Sequence, residues 1–118
     1  MPRELFTVRS EDSITIVELM LPDSIDTKEF ESLNVAMSNL FREGLWVLDL
    51  SRLSYMGSSA LGLMVNLRQQ IKSAGGHLVL CGLSPKLLQI FHTCCLERLF
   101  TIVKTCDDAR RQLKAGRG

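Results

Sequence analysis

Residues 45–64 read LWVLDLSRLSYMGSSALGLM. The opening LWVLDL is almost continuously apolar, too short for a helix, and bounded by Gly44 before it and a polar segment after it. Such a run suits a central strand covered on both faces. Beyond Gly57, Ser58 and Ser59 the period changes. Ala60, Met64, Leu67 and Ile71 recur at helical spacing, with Arg68, Gln69 and Lys72 among the polar positions. A helix is expected from Ser59 to Ser73, stopped by the AGG at 74–76. A buried strand that feeds straight into an amphipathic helix is half of a βαβ unit, which implies parallel strands.

Downstream, HLVLCGL (77–83) reads as a second buried strand. SPKLLQIFHTCCL (84–96) reads as a short helix with Ser84 as N-cap and Pro85 at the first helical position, where a missing N–H costs nothing. LFTIVKT (99–105) is expected as a final strand near an edge, with Lys104 solvated. TCDDARRQLK (105–114) is expected as a helix whose Asp107 and Asp108 precede Arg110, Arg111 and Lys114, as the helix dipole favours. The tail RRQLKAGRG (110–118) is basic and reads as a solvated helix end with its last few residues frayed.

Upstream, LFTVRSEDSITIVELML (5–21) reads as two short strands around the polar turn SEDS, a hairpin at the sheet edge. In residues 21–44, Asp26 or Thr27 is placed to cap a helix that begins at Lys28 and Glu29 and ends before Gly44. Phe30, Leu33, Met37, Leu40 and Phe41 form its apolar stripe. The whole order predicts one α/β domain over residues 1–118. Its sheet is mixed but mostly parallel, with four to five strands, an antiparallel edge hairpin and about four helices.

Composition narrows the function. The chain has 118 residues, 46% of them hydrophobic, enough for one self-sufficient core. Fourteen basic residues against thirteen acidic ones give a formal net charge of +1, with no long block of either sign. That balance argues against direct nucleic-acid or membrane-surface binding, which call for a basic footprint. No apolar run approaches the roughly 20 residues of a membrane span. Cys81, Cys94, Cys95 and Cys106 show neither a Cys-x-x-Cys pair nor zinc-ligand spacing, so reduced thiols and a cytoplasmic location are expected. His92, Cys94 and Cys95 share one short helix and cannot generally converge on one ion, which leaves packing as their role and no metal site.

The Gly57-Ser58-Ser59 turn lies where ligands and partners of open α/β sheets bind, beyond the carboxyl ends of the strands. As a nucleophile elbow it misses the second glycine, since Leu61 stands there and Gly62 comes one residue late. Its base would have to be His77 or His92. As a phosphate cradle it has neither dinucleotide-loop nor Walker spacing. Two readings stay open: a plain turn and cap, or a hydroxyl whose phosphorylation adds charge at a helix N-terminus and breaks a partner interface.

The stretch from VLDLSRLSYMGSSALGLM through AGGHLVLCGLSPKLLQIF resembles the STAS domain family in order and spacing of strand, serine turn, helix, GG strand and SP helix. Within it the chain resembles the stand-alone anti-sigma factor antagonists, over nearly its whole length. SIDTKEF is similar to the family turn that opens the first helix, which puts Asp26 on a motif position. The resemblance implies a binding protein, not an enzyme, with no cofactor. Its partner is an anti-sigma factor that is also a serine kinase of the histidine-kinase-like ATPase fold. Phosphorylation of the motif serine releases the complex and a phosphatase resets it. By position that serine is Ser58, with Ser59 as the alternative, and Asp26, Met56, Gly57, Ser58 and Ser59 are the expected partner surface. The family motif commonly has aspartate where this chain has Gly57 and glycine where it has Ala60. A constitutive scaffold or transport accessory role without the phosphoswitch is the alternative.

Overall fold

The computed structural model describes residues 5–21, 26–40 and 43–116. One sheet runs in the order β1 (Phe6–Glu11), β2 (Ile14–Leu19), β3 (Leu45–Asp49), β4 (His77–Cys81), β5 (Thr101–Val103). β1 and β2 are antiparallel, and every other pair is parallel. Among the described residues there are four α-helices, α1 (Thr27–Leu40), α2 (Ser58–Ser73), α3 (Pro85–Thr93) and α4 (Cys106–Gly116). This is the expected mixed α/β sheet with its edge hairpin. Phe41 of the predicted stripe and the tail residues 117 and 118 lie outside the described residues.

Strand order dictates the layers. The crossovers β2 to β3, β3 to β4 and β4 to β5 all step in one direction, and a common right hand puts their helices on one face. Strand alternation then divides the core in two. Val17, Leu19, Trp46, Leu48 and Leu80 point to α1, α2 and α3, where they meet Leu33, Met37, Leu63, Met64, Leu67, Ile71, Leu87 and Phe91. Ile14, Ile16, Val47, Val79 and Cys81 point the other way, against Ala109 and Leu113 of α4. LWVLDL is apolar throughout because β3 is covered on both sides.

Each element begins and ends for a local reason. Asp12 and Ser13 both have positive φ, so β1 and β2 join through a two-residue turn and keep Ser10 and Glu11 in the ladder, longer than the predicted SEDS turn allowed. Asp26 Oδ1 accepts from Glu29 N at 2.8 Å, and the Glu29 carboxylate accepts from Asp26 N, a reciprocal capping box. Helix α2 closes with Gly75 at φ 80°, Gly75 N bonded to Lys72 O and Gly76 N to Ile71 O, the Schellman pattern. Ser84 Oγ accepts from Leu87 N at 3.1 Å with Pro85 next in line, as predicted. Helix α3 stops at Thr93, three residues before its predicted end. Cys95 turns left-handed (φ 58°) and a 3-10 turn over Leu96–Arg98 follows. That turn delivers Phe100 onto Phe91, edge to face at 5.8 Å, and leaves β5 only three residues long.

Gly82 follows β4 at φ 75°, and a Cβ built there lies 2.9 Å from Ser51 Cβ, 3.0 Å from Asp49 Oδ1 and 3.1 Å from Ser51 N. Both the backbone region and the space demand glycine. Gly82→Ala is expected to destabilise the fold by about 2 kcal/mol through left-handed strain plus the clash. Urea unfolding of the two proteins measures this; equal midpoints contradict it.

Candidate functional site

The turn between β3 and α2 is assembled from both cores. Leu50 N donates to Cys81 O at 2.9 Å, and Leu53 N to Leu50 O at 3.0 Å, which coils the chain back toward the helical layer. Leu53 and Met56 bury their side chains there, 4% and 3% exposed. Arg52 reaches Glu18 on β2, Nε to Oε2 3.7 Å. With those anchors below, Tyr55, Ser58 and Ser59 are lifted into solvent.

Helix α2 begins one residue earlier than predicted, at Ser58, with Gly57 as its N-cap residue. Gly57 has extended backbone, φ −82° and ψ 176°, and makes no side-chain cap. A Cβ there meets only the Tyr55 ring at ordinary contact, 3.8 Å. Glycine is therefore not a steric demand at this position, and an aspartate fits it. The bare cap leaves the first-turn N–H groups of α2 facing outward, where the helix dipole favours negative charge.

The predicted site residues separate into two kinds. Gly57, Ser58 and Ser59 form one surface at the carboxyl end of the sheet. Asp26 opens α1 at that same end, because β2 and β3 are parallel, and its carboxylate is engaged in the capping box. Met56 does not line the surface. Its unbranched side chain is drawn into the same core as those of Leu50 and Leu53, and it anchors the turn from beneath. Tyr55, 56% exposed, is the surface aromatic that sequence reasoning missed, and Lys86 Nζ of α3 lies 5.9 Å from its ring centroid. Leu88, also exposed, follows on α3. The outward side of α2 continues the surface through Gly62, Asn66, Gln69 and Ser73. Among the described residues no atom lies within 4 Å of a Cβ built on Gly62, so none of them requires glycine there.

Neither histidine serves these serines. His77 begins β4, at the amino end of the sheet, and His92 lies in the last turn of α3, which runs from the carboxyl end back to the amino end. His92 Nδ1 pairs instead with Glu97 Oε1 at 2.6 Å.

A second cluster forms at the same sheet end on the opposite face. Asp49 closes β3, Cys81 closes β4 and Cys106 opens α4. Cys81 Sγ and Cys106 Sγ are 3.1 Å apart, and Cys106 Sγ donates to Asp49 Oδ2 at 3.3 Å. The other carboxylate oxygen accepts from Ser51 N at 2.9 Å. No spacing rule finds this trio, because its members are neighbours only once the strand order is known. Burial pushes the Cys81 thiol far up, helped by Cys106 and Asp49. Burial likewise raises Cys106, opposed by its bond to Cys81 and reinforced by Asp49.

Both thiols thus hold their protons more tightly folded than unfolded. Their contribution to stability is complete below the unfolded thiol value of about 8.5 and is lost as pH rises past it. The urea midpoint is expected to hold steady from neutrality to that point and then fall, less steeply in Cys106→Ser. An identical alkaline slope in that variant contradicts the assignment.

The STAS domain family model matches residues 6–109. BtrV of Bordetella bronchiseptica, assigned as an anti-sigma factor antagonist, is 31% identical over 68 residues, 58% of this chain. The matched stretch spans 59% of that relative's length. Among solved structures, an anti-sigma-factor antagonist (STAS) domain protein from Planctomyces limnophilus superposes with a TM-score of 0.79 at 19% identity, covering 93% of this chain and 98% of its own. The anti-sigma factor antagonist SpoIIAA in its unphosphorylated form gives 0.71 at 18% identity, covering 92% and 96%. At such identities the structural likeness speaks for the fold, and the family model speaks for kinship: this chain belongs to the STAS domain family.

Proposed function

We propose that this protein is an anti-sigma factor antagonist whose partner is a serine kinase of the histidine-kinase-like ATPase fold, and that Ser58 is the residue whose phosphorylation ends the complex. The observation that carries the proposal is the position of Ser58. It is exposed, it is the first residue of α2, and it stands on a turn whose anchors, Leu53 and Met56, are buried. A phosphoryl group there adds nearly two negative charges that the open helix N-terminus tolerates, while a partner face packed on Tyr55 and α2 does not. Binding changes and the fold does not.

The names carried by BtrV and by the two structural neighbours support the antagonist role. Gly62 supports the surface. An exposed glycine inside a helix costs about 1 kcal/mol relative to alanine, and no contact among the described residues accounts for it. Close approach of a partner along α2 does. Ser59 is the neighbouring acceptor, and a phosphatase returns the protein to its binding form. Gly57 in place of the family aspartate favours one alternative, a constitutive scaffold, because it removes the acidic neighbour of Ser58.

Two experiments decide among these. In a pull-down from the source cells, the unphosphorylated protein is expected to retain an ATPase-fold protein that ATP releases. Ser58→Ala should retain it in the presence of ATP, and Ser58→Asp should not retain it, with thermal stability changed by no more than about 0.5 kcal/mol. Equal retention by wild type and Ser58→Asp contradicts the switch, and retention insensitive to ATP supports the scaffold. Separately, Gly62→Arg is expected to keep or raise the melting temperature and to weaken partner binding about tenfold or more. Unchanged affinity removes α2 from the interface.

A further inference from the structure

The Asp49, Cys81 and Cys106 cluster is chemically complete in a way that packing alone does not call for. Its three donor atoms, one from each side chain, lie within 4.8 Å of one another. They come from three elements that the fold holds at fixed places, the ends of β3 and β4 and the start of α4. A tetrahedral zinc ion with its usual bond lengths sets sulfur to sulfur at about 3.8 Å and sulfur to oxygen at about 3.5 Å. The observed 3.1 Å and 3.3 Å are each short of that by tenths of an ångström, which small side-chain rotations supply. From these positions we infer that Asp49, Cys81 and Cys106 form a binding site for a thiophilic divalent cation of the zinc class.

Support around the donors matches what such a site requires. Ser51 N–H fixes Asp49 Oδ1, which leaves Oδ2 turned toward the thiols, an outer contact that orients a ligand before the metal arrives. Two thiolates, one carboxylate and a divalent ion sum to a single negative charge. Arg9 of β1 is the positive group that acts on Cys106 and Asp49 through space, weakly, because its guanidinium is paired with Glu11 at 2.7 Å. Cys81 and Asp49 are buried while Cys106 is partly exposed, so the ion has an entry route from the α4 side. With three protein donors, the proposed ion takes its fourth ligand from solvent. On loading, two metal–sulfur bonds form and the two thiol protons pass to solvent, with no change of oxidation state. Sulfur donors select zinc, cobalt and cadmium over magnesium and calcium.

The test uses the full chain in a Cys94→Ser, Cys95→Ser background, which removes the exposed thiols, under a phosphine reductant and without oxygen. Cobalt(II) is titrated as the probe. One equivalent is expected to bind with sulfur-to-cobalt charge-transfer absorption and the visible bands of a tetrahedral ion, and zinc should bleach both. Cys106→Ser is expected to lower affinity roughly a hundredfold, and Asp49→Asn, which keeps the oxygen that Ser51 N–H needs, about tenfold. Zinc should also raise the melting temperature of the background protein, and raise that of Cys106→Ser less at the same concentration. Absence of the bands at millimolar cobalt, or a cobalt affinity unchanged in Cys106→Ser, overturns the site.

Discussion

At the sheet's carboxyl end Gly82 passes so close to Asp49 and Ser51 that no side chain fits at position 82, and the rest of that end is arranged around this contact. With no side chain at 82, the chain leaving β4 lies flat against the chain leaving β3. Leu50 N reaches Cys81 O and Gly82 N reaches Lys104 O, so three strand ends are stitched in sequence. Asp49 answers the contact by bonding Ser51 N with one oxygen. The turn that carries Ser58 therefore starts from a fixed point, and Met56 fixes its far side. A rigid base under an exposed hydroxyl is what separates a site that changes charge from a loop that changes shape.

The two faces of the sheet are held differently. Three helices and most of the large side chains cover one face, where the hydrophobic effect dominates. Helix α4 covers the other nearly alone, with Ala109 and Leu113 as its fully buried residues. Its remaining ties are polar. Lys114 Nζ reaches Asp12 Oδ2 on the hairpin at 2.9 Å, holding the Asp12 carboxyl below its usual range, and Arg110 bridges Glu11 and Asp107. Exposed pairs of this kind are screened by solvent and contribute little to stability. The Cys106 end of α4, joined to Asp49 and Cys81, is accordingly the part of this layer with the most to gain from a further bond.

Most of the fold was legible because strands buried on both sides and helices buried on one leave different periods. LWVLDL, the Ser84 and Pro85 cap and the acidic start of α4 each signalled their element without help from their neighbours. The misses have physical causes too. A left-handed Cys95 carries no compositional mark, so the end of α3 was placed three residues late. Asp12 and Ser13 adopt positive φ without glycine, which concealed how far the hairpin strands run. Met56 sits in irregular chain, where no periodicity tells inward from outward. The corner at Gly57 and Ser58 was legible as the passage from strand to helix, because the apolar period changes there. The thiol and carboxylate cluster was invisible, because 57 residues separate Asp49 from Cys106 and only the sheet brings them side by side.

The two outer strands bear on how the protein behaves at high concentration. An open sheet offers unpaired backbone along its rims, a template on which other chains can add. Here β5 offers only three residues, too few for a lasting ladder. β1 is longer and carries exposed Val8, but Arg9 and Glu11 stand on it as a linked pair at 2.7 Å, with Arg110 closing over Glu11. A strand adding to that rim must lay its own side chains beside both charges. The rims thus discourage fibre-like stacking, and lasting association with other molecules falls to the helical surfaces instead.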